Sequence, residues 1–210
     1  AEPGKAFTSV TYSNLYFREP ESRADQTRMM SIVTTGAETG YYVDVFRSRK
    51  EKGGDKMHDY FYHNLGQTLT LTTADGSDLN LQPTEELAFA GAHLYAYSYL
   101  YDKKVAATNK DVKATFTIDM KDKDGDDIYM NLWMKGEPDR EVFTALAPMT
   151  EGLSRTPNMP YNIKEQPTLT FVARQHGEAW NRPFVSIYEP STKKEPSAIQ
   201  SVSYFDAEGA

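Results

Sequence analysis

A chain of 210 residues, 39% hydrophobic and 25% charged, can bury the core of one large all-β domain and carries too little bias for disorder. Its formal charge of −7, from 23 Lys and Arg against 30 Asp and Glu, comes without a basic block and disfavours a phosphate backbone as partner. The lack of cysteine excludes disulfides, thiolate nucleophiles and Cys-ligated metal centres, and no apolar run approaches the ~18 residues of a membrane helix.

In chain order, short alternating runs rich in β-branched and aromatic residues are separated by turn residues, which is the pattern of half-buried strands. Strands are expected over Phe7 to Phe17, Arg28 to Thr35, Tyr41 to Arg47, His58 to Leu65 and Gln67 to Thr72. A helical turn or two is expected around Thr84 to Gly91, where Pro83-Thr84-Glu85-Glu86 has the form of a helix start. Strands follow over Leu94 to Tyr101, Lys113 to Met120 and Asp127 to Lys135, the last two joined by the hairpin turn Lys123-Asp124-Gly125. Glu141 to Leu146, Thr168 to Arg174, Pro183 to Glu189 and Ile199 to Phe205 complete the series. The long loop from Ala147 to Gln166 reads as an ordered excursion, with Leu153, Met159, Tyr161 and Ile163 packing back. About a dozen strands, minimal helix and no βαβ alternation predict a single antiparallel β-sandwich over residues 1–210.

The densest polar stretch is Asp55-Lys56-Met57-His58-Asp59-Tyr60-Phe61-Tyr62-His63-Asn64. On a strand, His58, Tyr60 and Tyr62 share one face while Asp59, Phe61 and His63 share the other. An imidazole beside phenols suits proton transfer, so His58, Tyr60, Tyr62 and His63 are the catalytic candidates. A strand with one aromatic face in the core explains the same residues without catalysis.

Trp133 shares a face with Tyr129, Asn131 and Lys135, which would make an open sugar-stacking platform or a half-buried core residue. Trp180 and Arg182, in a loop beside Pro183, and Arg47, in the basic cluster with Arg49, Lys50 and Lys52, are further carbohydrate-contact candidates. No metal site is identifiable. The four histidines lack HxH or HExxH spacing, and an EF-hand loop counted from Asp122 meets Asp127 and Trp133 where Gly and Glu are required. No GxSxG elbow and no glycine-rich phosphate loop are present.

Two stretches go beyond general β character. Tyr41-Tyr42-Val43-Asp44-Val45-Phe46-Arg47, leading through Gly53-Gly54 into His58-Asp59-Tyr60-Phe61-Tyr62-His63, resembles a run in the β-sandwich part of heparinase II/III-type polysaccharide lyases and related alginate lyases. Arg182-Pro183-Phe184-Val185-Ser186-Ile187-Tyr188-Glu189-Pro190, with Ile199-Gln200-Ser201-Val202, resembles the end of the same region. The resemblance implies an α/α-toroid plus β-sandwich enzyme that cleaves uronate-containing polysaccharides by β-elimination. It also implies an acidic polysaccharide as substrate, an upstream helical toroid as partner domain, and a periplasmic or extracellular location. A metal in such a parent enzyme belongs to segments with no counterpart within Ala1 to Gly40. The N-terminus lacks the basic and apolar regions of a leader, so a leader already removed, or a piece of a longer protein, is expected.

The sequence therefore points first to a sandwich module of such a lyase, lining the cleft and inactive alone. An independent carbohydrate-binding or cell-surface accessory domain is the alternative. A small stand-alone lyase using Tyr60 or Tyr62 with His58 or His63 is a third.

Overall fold

The computed structural model describes residues 9–50, 52, 54–88, 95–120, 126–150 and 165–205. Twelve strands run in chain order: β1 Val10–Arg18, β2 Asp25–Thr34, β3 Gly40–Arg49, β4 Met57–Asn64, β5 Thr68–Thr73, β6 Gln82–Pro83, β7 Tyr101–Ala107, β8 Val112–Ile118, β9 Ile128–Met134, β10 Arg140–Ala147, β11 Thr168–His176 and β12 Ala179–Thr192. One sheet has the order β1-β2-β3-β12-β9-β8-β5 and the other β4-β11-β10-β7-β6, with antiparallel neighbours throughout. The antiparallel β-sandwich expected as the fold class is the observed one. Among the described residues no helix is long and apolar enough to cross a membrane.

Alternation decides which residues meet between the sheets. Leu132 and Met134 of β9, Val112, Ala114 and Phe116 of β8, and Phe184 and Tyr188 of β12 face Tyr60 of β4 and Leu169, Phe171 and Ala173 of β11 across one buried cluster. Gly66 carries the chain from β4 in one sheet to β5 in the other. Its φ is 148°, and a Cβ there would lie 2.6 Å from the Thr117 carbonyl oxygen, so only glycine fits this crossing. A second cluster, Leu87, Leu100, Phe143, Ala145 and Val172, covers the outer face of the five-stranded sheet.

Three expectations change. The residues expected to begin a helix, 84–88, are irregular, and the rest of that stretch to Gly91 lies outside the described residues. Of the aromatic run expected as a strand from Leu94 to Tyr101, Leu94 lies outside the described residues, Tyr95–Tyr99 form a 3₁₀ turn, and the strand begins only at Tyr101. That turn directs Tyr97 onto Phe61, with centroids 5.2 Å apart edge to face, and lets its phenol donate to Asp59 Oδ2 at 2.8 Å. Residues 199–205 pair with no strand; Ala198 and Ile199 donate their N–H groups to the Glu189 carboxylate instead, at 2.8 and 3.3 Å. The Lys123-Asp124-Gly125 turn and residues 151–164 of the Ala147 to Gln166 loop lie outside the described residues.

The seven-stranded sheet is wider than its partner. By register, Leu15 and Phe17 of β1 and Met30 and Ile32 of β2 lie on the same face as the core residues Phe46 and Tyr188. Yet they are exposed, Leu15 at 68%. An overhanging shelf of β1 and β2 therefore stands beside the free edge of β4.

Candidate functional site

The corner between that shelf and β4 gathers the chain's most polar interior. Asp44 is fully buried and accepts three bonds from Arg28, Nε to Oδ1 at 3.0 Å and to Oδ2 at 3.1 Å, and Nη2 to Oδ2 at 2.5 Å. The Tyr60 phenol donates to Asp44 Oδ2 at 2.6 Å and lies in a short hydrogen bond with the Tyr188 phenol. Since Tyr60 gives its proton to the carboxylate, Tyr188 is the donor in that second bond. The ring of Tyr60 packs on Phe184 at 5.5 Å, and Tyr62 packs on Tyr188 at 4.8 Å and on Phe116 at 5.3 Å.

Burial, joined by the Asp44 charge, raises the pKa of Tyr60; burial also raises that of Tyr188 and pushes Tyr62 up to about 12. These phenols are hydrogen-bond donors and structural acids rather than bases near neutrality. A folded pKa above the unfolded value of about 10 gives a stability contribution that is complete below pH ~10 and lost as pH rises through the folded value. Denaturant midpoints should therefore stay level from about pH 8 to pH 10 and fall steeply above it, the exposed tyrosines ionising first and the buried phenols only with unfolding. Ionisation of all 14 tyrosines before loss of the far-ultraviolet signal would contradict this.

Below this network the corner opens into a cleft of about 510 Å³, lined by Gln26, Phe46, Ser48 and Lys50 on one side and by Asp55, Lys56, His58, Glu86 and Tyr97 among others on the opposite side. His58 Nε2 meets Asp55 Oδ1 at 2.6 Å, and the same oxygen accepts the Lys50 N–H at 2.6 Å. A carboxylate so placed fixes the imidazole's orientation. At the cleft's outer wall Arg174 donates to both oxygens of Asp59 at 2.8 and 2.9 Å and to Glu86 at 3.0 Å.

The structure separates the four catalytic candidates. His58 lines the cleft, Tyr60 is 3% exposed within the core, and Tyr62 is half-buried against aromatic rings. His63 lies on the opposite face of β4, stacked on Phe61 with centroids 5.8 Å apart, its Nδ1 2.8 Å from Thr170 Oγ1 and its pKa lowered by desolvation.

The carbohydrate-contact candidates also part. Trp133 is 4% exposed and carries Lys113 Nζ 4.9 Å over its ring, so it offers no open platform and takes the half-buried alternative further, to a packed residue. Trp180 and Arg47 do come together. A register shift in β12 between Ala179 and Phe184 throws Trp180 out of the ladder. Its carbonyl accepts from Arg47, and Arg49 sits 4.2 Å over its ring. Arg182 stands apart, donating to the Pro138 and His176 carbonyls at 3.3 and 3.1 Å.

Sequence reading missed Arg28, Asp44, Ser48, Asp55 and Arg174. The parity of Asp44 with Tyr42 and Phe46 does mark it as inward-facing, and an inward carboxylate requires a partner. Among the described residues no three His, Asp or Glu side chains converge to hold a metal ion, and Asp44 is taken by Arg28 and Tyr60.

The fold and this corner define an antiparallel β-sandwich with a cleft of about 510 Å³, lined in part by charged residues, at the edge of its smaller sheet. No family model matches the chain. An endo-acting ulvan lyase of Formosa agariphila is 33% identical to it over 196 residues, which cover 91% of this chain and 22% of that enzyme. The chain is thus related, over nearly its whole length, to a segment of a polysaccharide lyase, and spans about a fifth of that relative's length.

Proposed function

We propose that the chain is the β-sandwich module of a polysaccharide lyase of the heparinase II/III-like kind, lining one side of the cleft for a uronate-containing polymer and inactive alone. The observation that carries this is the similarity across 91% of the chain to 22% of an ulvan lyase. A segment that small leaves most of such an enzyme elsewhere, in keeping with an upstream helical toroid. The Tyr41–Arg47 and His58–His63 stretches support the heparinase II/III-like assignment, because they build the corner where Asp44, Tyr60 and His58 lie.

β-Elimination from a uronate removes a weakly acidic proton beside the carboxylate, so it needs a base, an acid for the leaving oxygen and stabilisation of the developing charge. Among the described residues only His58 of the four candidates opens on the cleft. Tyr60 is buried out of reach, and Tyr62, held protonated, is no base near neutrality and packs on Phe116 and Tyr188 away from the cleft lining, which favours a wall rather than a complete catalytic set. A polymer substrate cannot cross a membrane, so the module belongs outside the cytoplasm.

Incubated with ulvan, the 210-residue chain should release no unsaturated, ultraviolet-absorbing uronate ends. Robust product from the chain alone would sink the assignment of a silent module.

A further inference from the structure

We propose that the cleft bounded by Ser48, Lys50, Lys56 and His58 is a subsite for one acidic sugar unit, a pyranose bearing a carboxylate or a sulfate. The proposal rests on the lyase reading for the kind of polymer, and on the cleft itself for its place. Ser48 lines the cleft, is 1% exposed, and its hydroxyl has no hydrogen-bond partner. A buried hydroxyl left unpaired costs stability, and a ligand hydroxyl in the cleft would satisfy it.

The charges around it are unequally committed. Asp59 is held by Arg174 and Tyr97, Glu86 by Arg174, and Asp55 by His58 and the Lys50 N–H. Lys50 and Lys56 line the cleft, and their side chains have no ion-pair partner among the described residues. The lining carries three carboxylates (Asp55, Asp59 and Glu86) and three cations (Lys50, Lys56 and Arg174), and since the carboxylates are all engaged, the two lysines are the charges left for a ligand anion, in a chain of net charge −7. With Nε2 directed at Asp55, His58 keeps Nδ1 for a sugar hydroxyl. Phe46 and the half-exposed Met57 supply the apolar surface on which the C–H face of a pyranose packs. A volume of about 510 Å³ holds a sugar unit with its linkages.

The test is a titration of the 210-residue chain, followed by NMR, with three probes: a glucuronic acid trisaccharide, the same trisaccharide with its carboxyls reduced to alcohols, and a glucose trisaccharide sulfated at O6. At least one acidic probe should bind about tenfold or more tighter than the reduced one, and the tighter of the two identifies carboxylate or sulfate as the anion. Ser48→Ala should weaken that binding about threefold to tenfold without lowering the thermal midpoint, a combination that a merely structural serine would not give. Lys50→Gln with Lys56→Gln should bring acidic and reduced probes to equal affinity, whereas Lys104→Gln on β7 should change nothing. No preference for either acidic probe, or undiminished affinity in the Ser48 and Lys50/Lys56 variants, overturns the subsite. Either failure leaves the lyase reading standing, since product release decides that separately.

Discussion

Replacing Asp44 with alanine should lower the unfolding free energy by about 3 kcal/mol, read as a fall in urea midpoint at unchanged slope. The carboxylate is fully buried and is the common acceptor for Arg28 on β2 and Tyr60 on β4. Its loss leaves the half-exposed Arg28 side chain to water and strands a buried phenol whose remaining partners are Ser186 and Tyr188. The two sheets are pinned to one another at this point, so the cost falls on the whole sandwich rather than on an edge. Asp44→Asn keeps an oxygen for Tyr60 and removes the charge, and should recover part of the loss. A drop below about 1 kcal/mol for Asp44→Ala would mean that the network is ornamental.

Asp59→Ala should be comparably costly, about 3–5 kcal/mol, for a different reason. Asp59 and Arg174 have side chains 8% exposed each, and the guanidinium is bound at both carboxylate oxygens. Without Asp59, Arg174 retains only Glu86, itself half-exposed, and Tyr97 loses the acceptor for its phenol. The segment carrying Leu87, Tyr97 and Leu100 is then released from the outer face of the five-stranded sheet. Since a buried ion pair contributes less than the cost of breaking it, the double variant Asp59→Leu with Arg174→Met should regain most of the stability. A double variant as unstable as the single one would show that the pair, and not the stranded charge, holds this layer. Chemical denaturation of the three proteins decides between these results.

Much of the sandwich was legible because alternation and turn chemistry are local. The strands from Arg28 to Thr35 and from Tyr41 to Arg47 are displaced by only a few residues at their ends, and Thr168 to Arg174 begins where β11 does. The failures are equally physical. Leu94 to Tyr101 is as aromatic as any strand, but the anchor at Asp59 belongs to β4, and only the tertiary fold brings Tyr97 to it. β7 was missed because the adjacent Lys103 and Lys104 put a charged residue on each face of the strand and break the alternation. The residues from Ile199 to Phe205 alternate like a strand, yet find a buried carboxylate at Glu189 in place of a neighbouring strand.

The site was half legible. The His58 stretch was marked by its density of polar rings, and its division between two faces follows from the strand period. The partners that give those rings their roles lie far along the chain: Ser186 and Tyr188 stand 126 and 128 residues from Tyr60, and Arg174 stands 115 from Asp59. Register across sheets, which no local pattern encodes, sets those contacts. Trp133 shows the same limit, because its face was predictable and its burial was not.

The most direct test of the central claim is a segment exchange. The 196-residue matching segment of the Formosa agariphila ulvan lyase would be replaced by this chain and the chimera assayed on ulvan, beside a variant with the segment deleted. A module that forms one wall of the polymer cleft predicts that the deletion abolishes release of unsaturated uronate and that the chimera restores it. A chimera that melts cooperatively but releases no product, or a deletion variant that cleaves as well as the intact enzyme, would contradict it.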